Sequence, residues 1–137
     1  TILFMYQNKF LNSGLSRLSG HNGELLINHI KNVLKEVKKL SREFSLSPNE
    51  SKILEILAVF HDIGKCEEKW QIEYKKRKKV NRPHALFSAI TFYNLFCPLI
   101  EKNVLKEKEF YTLLFAILTH HRILHRYLYH RYLQRTE

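Results

Sequence analysis

Residues 53–65 read Ile53-Leu54-Glu55-Ile56-Leu57-Ala58-Val59-Phe60-His61-Asp62-Ile63-Gly64-Lys65. The run to Phe60 is apolar on most sides, which predicts an enclosed, central helix. It ends by delivering a histidine beside an aspartate, a neutral nitrogen ligand next to an anionic oxygen ligand. Asp62 is the only aspartate in the chain. Gly64 is placed to end the helix in a left-handed conformation. Upstream, Ser47-Pro48-Asn49-Glu50 reads as the start: Ser47 as N-cap, Pro48 in the first helical position, Glu50 completing a capping box.

Working outward, the neighbouring segments are also helical. From about Glu24 to Phe44, Leu26, Ile30, Val33, Val37 and Leu40 recur at three or four residues, an amphipathic helix with lysines opposite and His29 on the inward side. Residues 1–20 are ambiguous, a short strand or loose helix at 1–6 and then a connection. Cys66 to Tyr74 reads as a short helix that runs into Lys75-Lys76-Arg77-Lys78-Lys79, five consecutive cations expected to be solvated. Pro83 opens a helix with His84 in its first turn, and Pro98 closes it. After a charged connection from Glu101 to Glu109, Phe110, Leu113, Leu114, Ile117, Leu118 and His121 repeat at helical spacing.

Composition agrees with an all-α fold. Four glycines and three prolines in 137 residues leave little punctuation for a many-stranded sheet. With 45% hydrophobic residues the chain is long enough to bury one core, so a single domain over residues 1–137 is expected. No apolar run reaches the roughly 18 residues of a membrane span, so no membrane partner is expected. Cys66 and Cys97 form no CxxC pair, which suits free thiols in a reducing cytoplasm. The net charge of +10 suits a polyanionic partner such as nucleic acid.

The histidines carry the chemistry. His29, His61, His84, His120 and His121 fall on four helices and, with Asp62, offer imidazole and carboxylate ligands suited to first-row transition metals. A histidine alone on such a helix is commonly a hydrogen-bonded structural residue. At a helix N-terminus, as for His84, the positive potential keeps the ring neutral and ligating. Successive helical side chains diverge by about 100°, so His120 and His121 reach one cleft only at a rim or a helix end. His121 with His125 is an alternative surface pair, opposed by the arginines around it. His125 and His130 read as surface or nucleic-acid contacts and His21 as a loop histidine.

A histidine in an early helix (NHIKNV), then HDIGK followed by Lys69-Trp70-Gln71, then His84 with Ser88 in HALFSA, then His120-His121 in ILTHH, resembles the HD phosphohydrolase superfamily. In detail it is similar to the HD nuclease domain of the type I CRISPR interference nuclease-helicase, including its stand-alone form. The resemblance spans about residues 21–121 and implies an HD-domain helical bundle with a metal site between helices. It implies that His29, His61 and Asp62 hold one divalent ion and Asp62, His84, His120 and His121 a second, with manganese, magnesium, iron, nickel or cobalt as candidates. Asp62 and Lys65 would be catalytic, Lys65 binding or neutralising the scissile phosphate. The implied activity is metal-dependent cleavage of single-stranded DNA or RNA, endo- or exonucleolytic, in antiviral defence beside a helicase subunit or domain and a guide-RNA surveillance complex. The family pattern ends in a later aspartate, which this chain lacks, so the expectation is a domain without its C-terminal part.

Two basic segments are candidate nucleic-acid contacts. Lys75, Lys76, Arg77, Lys78 and Lys79 lie between ligand-bearing elements and would gather phosphates by counterion release, or form an ordinary solvated loop. Arg122 and Arg126, interleaved with Tyr127, Tyr129 and Tyr132, would contact backbone and stack bases, unless the tyrosines are core or interface aromatics. Two other functions fit the same residues: an HD phosphohydrolase of nucleotides or cyclic dinucleotides, and a non-catalytic HD module that binds nucleic acid or a partner.

Overall fold

The computed structural model describes residues 18–20, 23–77, 79–80 and 82–121. Among them are five α-helices and one short 3₁₀ turn, and the β pairing is confined to an isolated Ser19–Leu25 bridge. The helices are α1 (Leu26–Glu43), α2 (Pro48–Phe60), α3 (Glu68–Arg77), α4 (His84–Glu101) and α5 (Glu107–Thr119), with the 3₁₀ turn at Ile63–Cys66 between α2 and α3. The fold is all-α, as the composition and periodicity predict. The expectations for residues 1–17 and for the Arg-Tyr tail, with Arg122 and Arg126, fall outside the described residues, as do those for His21, Lys78, His125 and His130.

Local chemistry accounts for the helix ends. At α2 the Ser47 side chain accepts from the Glu50 N–H (3.2 Å) and Glu50 Oε2 accepts from the Ser47 N–H (2.8 Å), with Pro48 at the first position. Helix α1 has no side-chain cap, and the Leu26 N–H donates to the Leu18 carbonyl instead (2.8 Å). Helix α4 ends in a Schellman arrangement, Val104 N–H to Leu99 O (3.0 Å) and Asn103 N–H to Ile100 O (2.9 Å), with Asn103 at φ 54°.

Four boundaries differ from the sequence expectation. Helix α4 continues through Pro98 to Glu101, because Leu99 in that last turn is buried in the core and holds it in place. Lys75, Lys76 and Arg77 belong to the last turn of α3, where cations meet the negative end of the helix dipole, rather than to a separate loop. Helix α5 starts at Glu107, three residues before Phe110, with two glutamates favourably placed in its first turn. Gly64 does not adopt a left-handed conformation; among the described glycines only Gly23 has positive φ. A Cβ on Gly64 would stand 2.0 Å from the His84 carbonyl oxygen and 2.6 Å from the Ser88 nitrogen. Close approach, not backbone handedness, requires glycine there.

Helix α4 packs along α5, α1 along α2, and the 3₁₀ turn sits on α4. Phe60, Phe92, Phe96 and Phe110 are buried together, with Phe92 stacked on Phe96 (4.6 Å between ring centres) and Phe60 edge-on to Phe96 (5.0 Å). Helix α2 is enclosed in its C-terminal half, where Ile56, Ala58, Val59 and Phe60 are buried, and exposed at its start. The buried half is the one that carries the His-Asp pair into the interior.

Candidate metal centre

Asp62 is buried, 2% exposed, immediately after the end of α2, and five histidines converge on it. Its two oxygens divide them. Oδ2 faces His29 Nε2 at 3.1 Å and His61 Nε2 at 3.4 Å. Oδ1 faces His84 Nε2 at 3.1 Å, His120 Nε2 at 3.3 Å and His121 Nε2 at 3.9 Å. Each set, taken with Asp62, brings its ligand atoms within 4.8 Å of one another. All six residues singled out as ligands in the sequence therefore meet at one place, and the division follows the carboxylate.

Position in the helices explains the convergence. His29 lies in the first turn of α1, His84 opens α4, and His61 and His120 are the C-cap residues of α2 and α5. At a C-terminus the last carbonyls lack intrahelical partners. His61 Nδ1–H donates to Ala58 O (2.8 Å) and His120 Nδ1–H to Ile117 O (2.6 Å). With the proton fixed on Nδ1, Nε2 of the neutral ring carries a lone pair. The neighbours His120 and His121 both reach Asp62 because α5 ends at Thr119, which frees them from the helical divergence.

These lone pairs point at the oxygens of an anion, an arrangement that only protons or a metal cation can reconcile. Full protonation would crowd five positive rings within a few ångströms, with His84 and His121 Nε2 atoms 2.7 Å apart. Burial pushes the His121 pKa down to about 4, helped by its neighbours His120 and His84, so this ring is neutral at neutral pH. The donor set, one carboxylate and five imidazoles, two of them with tautomers set from behind by backbone carbonyls, fits a divalent transition metal. The cluster can hold a metal ion.

Electrostatics at Asp62 are strongly opposed. Burial disfavours its charge, but the ring nitrogens of His120, His61 and His84 beside its oxygens outweigh this and hold the carboxyl far below the usual carboxylate range. Lys65 is fully buried, with its ammonium 2.5 Å from Oδ2 and 6.0 Å from the Trp70 ring centre. Burial lowers the Lys65 pKa and the Asp62 charge offsets part of that. Its charge is thus spent on Asp62 rather than presented at an open surface.

The framework around the turn is hydrogen-bonded throughout. The Gly64 N–H donates to Ser88 Oγ (2.7 Å), fastening the turn to α4. Gln71 Nε2 donates to the carbonyls of Lys65 (2.7 Å) and Ser19 (2.9 Å), and its Oε1 accepts from the Ser19 N–H (2.9 Å). An apolar cavity of about 220 Å³, lined by Val33, Val37, Leu54, Leu57, Ala58 and Ala116, opens beside His61 and His120. Cys66, the last residue of the turn, is a free thiol whose pKa burial pushes up to about 12. It is inert at neutral pH.

Lys75, Lys76 and Arg77 are exposed at the end of α3, and Lys79 is exposed in the following connection. Two positions escaped the sequence: Glu24, whose Oε2 lies 3.6 Å from His29 Nδ1, and the packing role of Gly64. Glu24 precedes α1 and so shares no helical periodicity with His29; only the chain path brings them together.

A pH dependence follows from His121. Its folded pKa of about 4 lies below its ordinary value near 6.5, so between those limits the unfolded chain binds a proton that the folded chain does not. Stability therefore falls as pH drops from about 6.5 to 4. Chemical unfolding of the metal-free protein across that range should show the slope, and His121→Gln should flatten it. An unchanged slope in that variant would contradict the assignment.

Among the described residues no helix is long and apolar enough to cross a membrane. No protein family, curated protein or solved structure matches the chain.

Proposed function

We propose that this chain is a metal-dependent phosphodiesterase of the HD type that cleaves single-stranded DNA or RNA. The observation that carries the reading is the division of five histidines between the two oxygens of one buried carboxylate. In that arrangement His29, His61 and Asp62 would hold one divalent ion and Asp62, His84, His120 and His121 a second. Mn²⁺, Mg²⁺, Fe²⁺, Ni²⁺ or Co²⁺, when bound, would supply Lewis acidity and activate water for attack on a phosphodiester. The protein's part is positioning: carbonyls of α2 and α5 orient His61 and His120, Ser88 holds the turn on α4, and Lys65 anchors the bridging carboxylate.

The net charge of +10 supports a polyanionic substrate, and the exposed lysines at the end of α3 would add salt-dependent affinity. The cytoplasmic CRISPR assignment, with a helicase and a guide-RNA surveillance complex as partners, is supported by the motif order His29, His61-Asp62, His84 with Ser88, His120-His121.

The test uses labelled single-stranded DNA and RNA with Mn²⁺, comparing the wild-type chain with His120→Ala and with Asp62→Ala/Lys65→Met. We expect cleavage by the wild type, chelator-sensitive, and a loss of at least about a hundredfold in each variant. Equal cleavage by all three proteins would overturn the site. Turnover of mononucleotides or cyclic dinucleotides without strand cleavage would move the substrate class to small nucleotides. Binding of nucleic acid with no product would make the chain a non-catalytic module.

A further inference from the structure

We propose that Glu24 is a positioning residue for the Oδ2 half of the site, holding the proton of His29 on Nδ1 so that the Nε2 lone pair faces Asp62. The inference rests on reading the cluster as a metal centre. It concerns a residue that contacts no other ligand of the set in the arrangement described above.

The reason begins with where His29 sits. His61 and His120 lie at helix C-termini and can give their Nδ1 protons to carbonyls that the helix leaves free. His29 lies in the first turn of α1, where the surplus groups are N–H donors and the local potential is positive. A carbonyl of that kind is lacking, and an anion is the natural partner. Glu24, two residues before the helix, supplies one. Its Oε2 is 3.6 Å from Nδ1, while the ring's other nitrogen is 3.1 Å from Asp62 Oδ2. A small rotation of this partly exposed side chain closes the first contact to a hydrogen bond.

Glu24 is held where it is needed. Its Oε1 accepts from Asn32 Nδ2 (2.9 Å), one turn beyond His29 on α1. Its carbonyl accepts from the Gly20 N–H (2.7 Å), and the flanking Ser19–Leu25 bridge is tied through Gln71 to the carbonyl of Lys65. Hydrogen bonds at Gly20, Ser19 and Gln71, joined by the Ser19–Gly20 peptide link, thus connect the Glu24 backbone to the turn that follows Asp62.

The electrostatics give Glu24 a purpose. Lys65 bonds Oδ2, not Oδ1, and so withdraws negative charge from the half that has only two histidines. A carboxylate behind His29 restores it, as in the carboxylate–histidine–metal arrangement that raises ligand basicity.

The experiment compares the wild type with Glu24→Ala and Glu24→Gln, the second of which retains an acceptor oxygen. Long-range proton–nitrogen NMR of the nitrogen-15-labelled proteins loaded with diamagnetic Zn²⁺ at neutral pH reads the His29 tautomer. We expect the Nδ1–H form in the wild type and in Glu24→Gln, and its loss in Glu24→Ala. Calorimetric titration with Mn²⁺ should show one binding step weakened about 10- to 100-fold in Glu24→Ala, less in Glu24→Gln, with the other step unchanged. An Nε2–H tautomer in the wild type, or the same tautomer and affinities within about threefold in Glu24→Ala, would overturn the proposal. Absence of Zn²⁺ and Mn²⁺ binding by the wild type would defeat the metal reading, whereas intact binding with an Nε2–H tautomer of His29 would defeat the Glu24 role alone.

Discussion

Asp62→Ala is expected to destabilise the fold by about 3–5 kcal/mol, because it strands the Lys65 ammonium in a place with no access to water. Removing one member of a buried ion pair costs far more than removing both, since the survivor keeps its desolvation penalty without its partner. The double variant Asp62→Ala/Lys65→Met should accordingly regain most of that stability, as Met fills the lysine's path beneath Trp70 with an apolar side chain. It should remain unable to bind metal. Urea unfolding monitored by circular dichroism checks the stability half and Mn²⁺ titration the binding half. A single variant within about 1 kcal/mol of wild type would show that the pair contributes little to the fold.

Gly64→Ala should be nearly as damaging, for a steric reason. The added methyl would occupy space 2.0 Å from the His84 carbonyl oxygen and 2.6 Å from the Ser88 nitrogen, both backbone atoms that cannot rotate aside. Relief requires the 3₁₀ turn to separate from α4. That breaks the Gly64–Ser88 hydrogen bond and carries His84 away from Asp62. We expect a loss of about 3 kcal/mol or more in stability, and metal affinity reduced at least about tenfold through the Oδ1 set. Ser88→Ala removes only the hydrogen bond and should cost about 1 kcal/mol. If Gly64→Ala unfolds at the same urea concentration as the wild type, the close packing of turn on helix is wrong.

Those two residues mark what could and could not be read in advance. The α2 capping box was legible because Ser47, Pro48 and Glu50 act within one turn, and the metal ligands because histidines beside a lone aspartate carry chemistry in their identity. The division of ligands between two oxygens entered through the family resemblance, and the geometry agrees with it. The role of Gly64 was misread because a glycine after a helix has two explanations, handedness and proximity, and only the placement of α4 decides between them. The continuation of α4 past Pro98 is similar: local propensity argues for a stop, and burial of Leu99 overrides it. Glu24 was invisible since it precedes the helix and meets His29 through the chain path rather than through spacing along a helix.

The single carboxylate at the centre makes the two histidine sets thermodynamically inseparable. Were each set to take a cation, charge drawn from one oxygen would be charge the other could no longer offer, so loading one set would weaken the other, and linkage would make that penalty the same whichever filled first. The oxygens are also unequal at the outset, because Lys65 already sits on Oδ2 as a built-in competitor. The set around Oδ1, with three histidines and no lysine, would on that reading be the one to fill first. On the two-ion reading proposed above, half-loading would be a distinct state over a range of metal concentrations, and the free metal level would decide whether the second set fills.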